Sequence, residues 1–159
     1  RDHCVTGVQT CALPICNDLS ITAQRDSVKV TAQCQVKTYP RIHQLVTSIT
    51  SKLRPDKSIG EVLRSTFPMG SMTGAPKRRA MGIIESLESS RRGLYSGSVG
   101  YLTPEGDFDF NVVIRSIQYH STSGYLSLMA GSALTAEAIP EKEYEECMLK
   151  ASTMFKALS

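Results

Sequence analysis

One stretch constrains the fold of this chain more than any other. It is residues 67–88, FPMGSMTGAPKRRAMGIIESLE, which predict a glycine-bearing segment followed by a helix. Gly70 and Gly74 bracket this glycine segment (residues 70–74). After Pro76, apolar residues recur at the three- and four-residue spacing of one helical face. The free N–H groups at such a helix start favour a carboxylate or a phosphate, although an ordinary loop-to-helix junction has the same pattern.

Three consecutive basic residues, Lys77 to Arg79, stand at the start of this helix. Positive charge there opposes the helix dipole, so we expect a negative group close to it. The spacing from Gly74 to Lys77, and the absence of a Lys-Ser/Thr pair, exclude a Walker P-loop.

Composition limits the class of protein. The 159 residues, of which 41% are hydrophobic and 21% charged, suffice for one domain with a core. A net charge of +3 does not indicate nucleic-acid binding, and no apolar run is long enough to span a membrane. No CxxC pair or zinc-like Cys/His cluster occurs, and we interpret Cys34 and Cys147 as reduced thiols. We therefore expect a cytoplasmic protein.

Residues 1–16 stand apart from the rest of the sequence. They show neither helical nor strand periodicity, and they lack the features of a signal peptide. VTGVQTCALPI resembles the translation of a sequencing-library adapter, and RDHC resembles its flank. We therefore expect residues 1–16 to be non-native and to make few packed contacts, and residues 17–159 to be the genuine chain.

The remaining periodicities predict a mixed α/β chain of the α+β type. Alternation predicts strands over residues 27–38, 96–102, 108–119 and 125–133, the last three forming a meander. Helical spacing predicts a helix from Pro40, a short helix over residues 58–64 capped by Ser58 and Glu61, and a last helix from Pro140. The apolar stripe of that last helix is expected to contain Tyr144, Cys147, Met148, Ala151, Phe155 and Leu158.

Carboxylates on the last helix form a candidate metal site. Glu143, Glu146 and Lys150 are three and four residues apart and share a face beside the apolar stripe. Carboxylates at the edge of a core suit a hard cation such as Mg²⁺. The alternative is that they are the acidic start of a surface helix, which complements its dipole.

An arginine among apolar residues is a candidate anion contact. Arg115 interrupts the run VVIRSI and, by alternation, shares a strand face with Val113 and Ile117. It needs a partner, which is either a ligand carboxylate held in a bidentate contact or a nearby glutamate at a sheet edge. The small residues 130–133, AGSA, allow close approach of a ligand or of a packed helix.

Five motifs occur together in a fixed order: GSMTGAPK at 70–77, GSVGYLTPEGDFD at 97–109, VIRS at 113–116, MAGSA at 129–133 and EKEYEECMLKA at 141–151. Jointly they resemble the C-terminal half of the chorismate-utilising enzymes. Asn17, Asp18 and Leu19 resemble the end of the RNDL segment of that family. The resemblance implies that the fold is a fragment of the chorismate-utilising enzyme fold, with an antiparallel sheet and helices packed outside it.

The resemblance implies roles for matching residues. Glu143 and Glu146 match magnesium ligands, and Lys150 matches a lysine beside them. Arg115 matches an arginine that binds a chorismate carboxylate. Substrate-binding positions are implied at Lys150 and also at Thr73, Gly74, Tyr95 and Gly131. The catalytic residues are expected in an upstream half that this chain lacks, so the chain alone is expected to be inactive.

The implied reaction combines chorismate with ammonia, assisted by Mg²⁺, and a glutamine amidotransferase subunit supplies the ammonia. GSMTG, in place of the GTxSG of anthranilate-forming members, favours 4-amino-4-deoxychorismate as the product, with anthranilate as the alternative. One departure from the family is that its helix histidine aligns with Gln44, whereas His43 is one position early. A rival hypothesis is a non-enzymatic module that binds an anion, such as a phosphorylated ligand, at the glycine segment.

Overall fold

The computed structural model describes residues 13–40 and 42–158. The chain divides into two compact units, Arg1–Ser89 and Ser90–Ser159. Both units combine helices with antiparallel strands, which confirms the expected α+β class. Within the described ranges the strands form three separate two-stranded sheets.

The first described element of the first unit is helix α1, residues 13–20. Thr22 and Ala23 follow it and are buried. Ala23 forms an antiparallel bridge with Leu53, and the carbonyl of Thr22 accepts a hydrogen bond from the amide of Arg54 at 3.0 Å. These contacts join the end of α1 to the segment that follows strand β2 (Ile42–Thr50).

Strand β1 (Lys29–Tyr39) pairs antiparallel with β2, in a register that runs from Lys29 opposite Thr50 to Tyr39 opposite Ile42. This confirms the strand predicted over residues 27–38. The register shifts twice between Val30 and Gln35, as in a β-bulge, and Cys34 within this stretch has a positive φ of 48°.

The helix predicted from Pro40 is wrong, because residues 42–50 form β2. Their apolar spacing fits one helical face, but Val46, Thr47 and Ile49 are β-branched and favour a strand. Pairing with β1 satisfies the backbone groups along one edge of β2, and this tertiary contact favours the strand over the helix. His43 therefore lies on a strand, where its Nδ1 is 3.0 Å from Oγ1 of Thr38.

Helix α2 (Ile59–Thr66) begins at a capping box, as predicted. The amide of Glu61 donates to Oγ of Ser58 at 3.3 Å, and the amide of Ser58 donates to Oε2 of Glu61 at 3.0 Å. Lys57 adds an ion pair to Oε1 of Glu61 at 2.8 Å. Two orphan N–H groups at this helix start are thereby satisfied.

The glycine segment folds as a short helix, α3 (Gly70–Thr73), that ends at Gly74. Helix α4 (Lys77–Leu87) follows and confirms the predicted helix, with Pro76 at the N-cap rather than inside the first turn. Gly74 has a φ of 142°, and a Cβ atom there would lie 3.0 Å from Cβ of Ala80. Both observations require glycine at this position.

The second unit contains two hairpins. Strand β3 (Ser98–Leu102) pairs with β4 (Phe108–Val112), and β5 (Ile117–His120) pairs with β6 (Tyr125–Leu128). Gly100 lies opposite Phe110, where a side chain would overlap the carbonyl of Asp109 and the Phe110 ring.

The predicted three-stranded meander is wrong in its connectivity, because residues 108–119 form two strands instead of one. The amide of Ile114 donates to the carbonyl of Val112 at 3.0 Å, which makes a tight turn, and Arg115 follows with a φ of 49°. Neither conformation belongs to an extended strand. The alternation of apolar and polar residues could not reveal this break between the two strands, since the alternation continues through the turn.

Helix α5 (Pro140–Lys156) begins at the predicted residue. Ala151 and Met154 are its buried residues, and Cys147 is half-buried. The predicted apolar stripe is therefore wrong in part: the exposed residues are Tyr144, Met148, Phe155 and Leu158. Apolar residues occupy more than one face of this helix, so spacing alone could not select the buried one.

Most of residues 1–16 lies outside the described part of the chain. Residues 13–16 are described, and they are helical. Pro14 lies against Gly70, where an added Cβ would come within 2.8 Å of Cβ of Pro14. Residues 13–16 are thus helical although their sequence shows no helical periodicity, and the non-native origin of residues 1–16 and the boundary at residue 16 stay predictions.

Candidate functional site

The segment that follows β6 is joined to α5 by side chains of the helix. The ammonium of Lys150 donates to the carbonyl of Gly131 at 3.1 Å and forms an ion pair with Oε1 of Glu146 at 2.5 Å. Lys150 and Glu146 are four residues apart, so they project from the same face. Two predicted site residues of the helix are thus in contact, and one of them reaches the predicted segment 130–133.

A second contact joins the same segment to α5 near the start of the helix. The hydroxyl of Ser132 donates a hydrogen bond to Oε2 of Glu143, and both side chains are half-buried. A hydrogen bond to a carboxylate is stronger than one between neutral groups, and it restricts the orientation of the carboxylate. Ser132 was not among the predicted site residues, because the pattern AGSA indicates only small size.

Tyr95 approaches the same segment from another part of the second unit. A Cβ atom placed on Gly131 would lie 2.8 Å from the Tyr95 hydroxyl, so glycine allows this close approach. The neighbouring residue, Ser96, is buried, and its amide donates to the carbonyl of Val113 at 3.0 Å. The backbone hydrogen bond between Ser96 and Val113, just before the start of β3, therefore places Tyr95 against Gly131.

The carboxylates of Glu143 and Glu146 could supply some of the ligands of a magnesium site. Each has one oxygen bound within the second unit and one without a hydrogen bond among the described residues. Mg²⁺ is typically held by one or two carboxylates together with water and substrate oxygens. The described ranges contain no group of three or more His, Cys, Asp or Glu side chains that could hold a metal ion. The two glutamates could therefore contribute to a site but not complete it.

Arg115 lies in the turn between β4 and β5 rather than on a strand face, which corrects its predicted alternation with Val113 and Ile117. Its side chain is exposed and forms no ion pair with any described residue. The sheet-edge glutamate considered as its alternative partner is therefore not found in the described ranges. An exposed guanidinium keeps its bidentate donors available for a carboxylate.

Thr73 and Gly74 belong to the first unit, whereas the other predicted site residues belong to the second. The hydroxyl of Thr73 donates to the carbonyl of Met69 at 3.0 Å, which completes a helical turn. Both residues are half-buried.

The negative group expected near the basic helix start is Asp18. Its Oδ2 lies 2.6 Å from the ammonium of Lys77, the first residue of α4. Arg78 and Arg79 are exposed. The charge pattern predicted the existence of this partner, but it could not identify a residue so distant in the sequence.

Helices that could span a membrane were not found: in the described ranges none is both long and apolar enough.

Comparison with known proteins identifies the family. A family model described as chorismate binding enzyme matches residues 12–156. Anthranilate synthase component 1 of Aquifex aeolicus is 39% identical over 142 residues, which cover 89% of this chain and 28% of that protein. The chloroplastic aminodeoxychorismate synthase of Arabidopsis thaliana is 44% identical over 134 residues, covering 84% of this chain and 14% of that protein.

A solved structure agrees with these sequence matches. Anthranilate synthase component I from Streptococcus pneumoniae superposes with a TM-score of 0.83 and 29% identity, covering 97% of this chain and 35% of that one. The chain thus spans about a third or less of the proteins it resembles. Its fold is that of the chorismate-utilising enzymes, and the chain belongs to the chorismate-binding enzyme family.

Proposed function

We propose that this chain is part of an enzyme that combines chorismate with ammonia to form 4-amino-4-deoxychorismate. The observation that carries the proposal is the cluster in the second unit, where Lys150 and Glu143 of α5 bind the segment 130–133 and Tyr95 lies against Gly131. This cluster combines a cation, two carboxylates and a phenol. A cation suits a substrate carboxylate, and carboxylates that hold Mg²⁺ suit a hydroxyl leaving group, so the cluster is compatible with chorismate.

Each residue has a distinct proposed role. Arg115 binds a chorismate carboxylate through its available guanidinium, and the close approach at Gly131 admits the substrate beside Tyr95. Glu143 and Glu146 hold Mg²⁺, with Lys150 beside them. When bound, Mg²⁺ would supply Lewis-acid assistance to the departing oxygen of the substrate. Thr73 and Gly74 of the glycine segment complete the proposed set of substrate contacts.

Names of relatives and the sequence support a proposed partner and a proposed product. Several relatives are named component 1, which implies a second component. We infer that a glutamine amidotransferase fills that place and supplies ammonia. Relatives named for both products occur, and GSMTG in the glycine segment favours 4-amino-4-deoxychorismate over anthranilate. The cytoplasmic location expected from the cysteines stays a prediction.

Product analysis tests the proposal. The chain, expressed within a full-length protein of its family, is incubated with chorismate, ammonia and Mg²⁺, and the products are separated by chromatography. We expect 4-amino-4-deoxychorismate as the main product. A dominant anthranilate peak would instead assign the enzyme to the other aminating reaction. Magnesium-independent nucleotide binding without chorismate turnover would favour the non-enzymatic module.

A further inference from the structure

The ion pair between Asp18 and Lys77 is the most sheltered in the described part of the chain. Their side chains are 16% and 24% exposed. Lys57 and Lys150, at 23% and 29% exposed, are similarly sheltered, but their partners Glu61, Asp56 and Glu146 are more exposed than Asp18. Separating a sheltered ion pair leaves a partly buried charge without its partner, which costs free energy. Such a pair therefore resists movement of the elements that it joins.

Lys77 also contacts a third element. Its ammonium lies 3.4 Å from the carbonyl of Ser65, near the end of α2. One side chain thereby connects α1, α2 and the first residue of α4. The chain between Ser65 and Lys77 contains the glycine segment, so the contact fixes the two ends of this stretch relative to each other.

Helix α1 contacts the glycine segment at a second point. Gly70 is buried, and an added Cβ there would lie 2.8 Å from Cβ of Pro14. Helix α1 therefore touches the stretch at Gly70 through Pro14 and at Lys77 through Asp18. Thr73 and Gly74 lie between these two contacts.

We propose that Asp18 and Lys77 are positioning residues that hold Thr73 and Gly74 in the conformation needed to contact substrate. The inference rests on the proposed function, because it concerns the substrate-contacting role of those two residues. Neither Asp18 nor Lys77 contacts the substrate, since the ammonium of Lys77 is bound by Asp18 and by the Ser65 carbonyl. Their effect reaches the ligand only through the backbone of the glycine segment.

Amide hydrogen exchange in the full chain tests the positioning role. The reporters are the amide of Met72, which donates to the Met69 carbonyl, and the amide of Ala80, which donates to the Pro76 carbonyl. In Lys77→Met and in Asp18→Asn we expect exchange at both reporters to quicken roughly tenfold. Exchange in the β1–β2 ladder should stay unchanged.

Two further variants separate positioning from general stability. Lys57→Met removes a lysine of matching exposure from the same unit, and it should leave both reporters unchanged. The double variant Asp18→Lys with Lys77→Asp restores the ion pair but not the contact with the Ser65 carbonyl, so it should recover part of the lost protection. Equal acceleration in Lys57→Met, acceleration throughout the β1–β2 ladder, or no recovery in the double variant would overturn the proposal.

A ligand measurement distinguishes this proposal from the function on which it rests. Chorismate is added to the unvaried chain, and the amide resonance of Gly74 is followed. A shift that the Lys77→Met variant weakens supports both proposals. No shift in the unvaried chain would count against the proposed role of Gly74, whereas the exchange rates would still decide whether Asp18 and Lys77 hold the segment.

Discussion

Arg115 combines an uncommon backbone conformation with an exposed guanidinium. A φ of 49° in a residue other than glycine costs roughly 1–2 kcal/mol. Glycine would adopt the same turn at less cost. A side chain kept at a strained position is a reason to infer a functional role for it.

The proposed carboxylate contact of Arg115 can be tested apart from its backbone. In the enzyme restored to full length, Arg115→Ala should raise the KM for chorismate roughly tenfold or more, because a bidentate charge-assisted contact is lost. Arg115→Lys should rescue this only in part. Arg115→Gly should raise KM equally without lowering the melting temperature, since glycine relieves the turn. An unchanged KM in the alanine and glycine variants would show that the guanidinium does not contact substrate.

The two carboxylates of α5 lead to a second prediction at single positions. In the restored enzyme, Glu143→Gln and Glu146→Gln should each raise the Mg²⁺ concentration needed for half-maximal activity at least roughly tenfold and lower turnover. Glu145→Gln is the matched control, because Glu145 is an exposed residue of the same helix. If both test variants kept the activity of the wild-type enzyme, Glu143 and Glu146 would be excluded as Mg²⁺ ligands.

At the scale of elements, the capping box makes helix α2 sensitive to acid. The Lys57 ammonium, together with the backbone and hydroxyl of Ser58, lowers the pKa of Glu61 from 4.5 to about 2. A carboxyl whose pKa falls on folding stabilises the folded form above its unfolded pKa. That contribution is lost as the pH falls through the folded pKa. We therefore expect α2 to loosen as the pH falls from 4.5 towards 2.

Amide exchange of α2 across this pH range checks the expectation. Exchange should be corrected for its intrinsic pH dependence. Glu61→Gln should remove the acid-dependent step, and Glu85→Gln, at an exposed position in α4, should retain it. An acid-dependent step of the same size in Glu61→Gln would assign the effect to another group.

Elements with local signals were predictable from the sequence, and those decided by distant contacts were not. Ser58 and Glu61 mark the start of α2 within four residues, and Pro140 marks the start of α5. The strand β2 was mistaken for a helix because its pairing with β1 has no local signature.

The same division applies to the candidate site. The three- and four-residue spacing of Glu143, Glu146 and Lys150 indicated that they share a face of one helix. Ser132 and Asp18 were missed as their partners, because a serine or an aspartate gains its role only from a residue that folding brings near. The periodicity of a sequence carries no information about contacts between residues that are far apart in the chain.

At the scale of the whole molecule, little apolar surface is buried. In the described ranges, Ala23, Ala151 and Met154 are the only buried hydrophobic residues, while many large apolar side chains are exposed. Each sheet has two strands, so each strand has an unpaired edge. Exposed apolar surface and open strand edges both favour association between chains.

The 159-residue chain should therefore self-associate and turn over no chorismate by itself. Catalysis needs groups held together in one productive geometry, and the described residues supply only part of the proposed set. Sedimentation at increasing concentration and a chorismate assay with ammonia and Mg²⁺ check the two statements. A concentration-independent monomer, or measurable turnover, would contradict them. Co-expression with the upstream half is the control that should recover activity.

The pairing of every strand with its neighbour in sequence has a consequence for the order of folding. β1 with β2, β3 with β4, and β5 with β6 each close only a short loop. Short loops lose little chain entropy on closure, and contacts between near neighbours form quickly. Each hairpin can therefore form while the nascent chain is still being synthesised. Contacts between residues far apart in the sequence, such as that of Asp18 with Lys77, should form later.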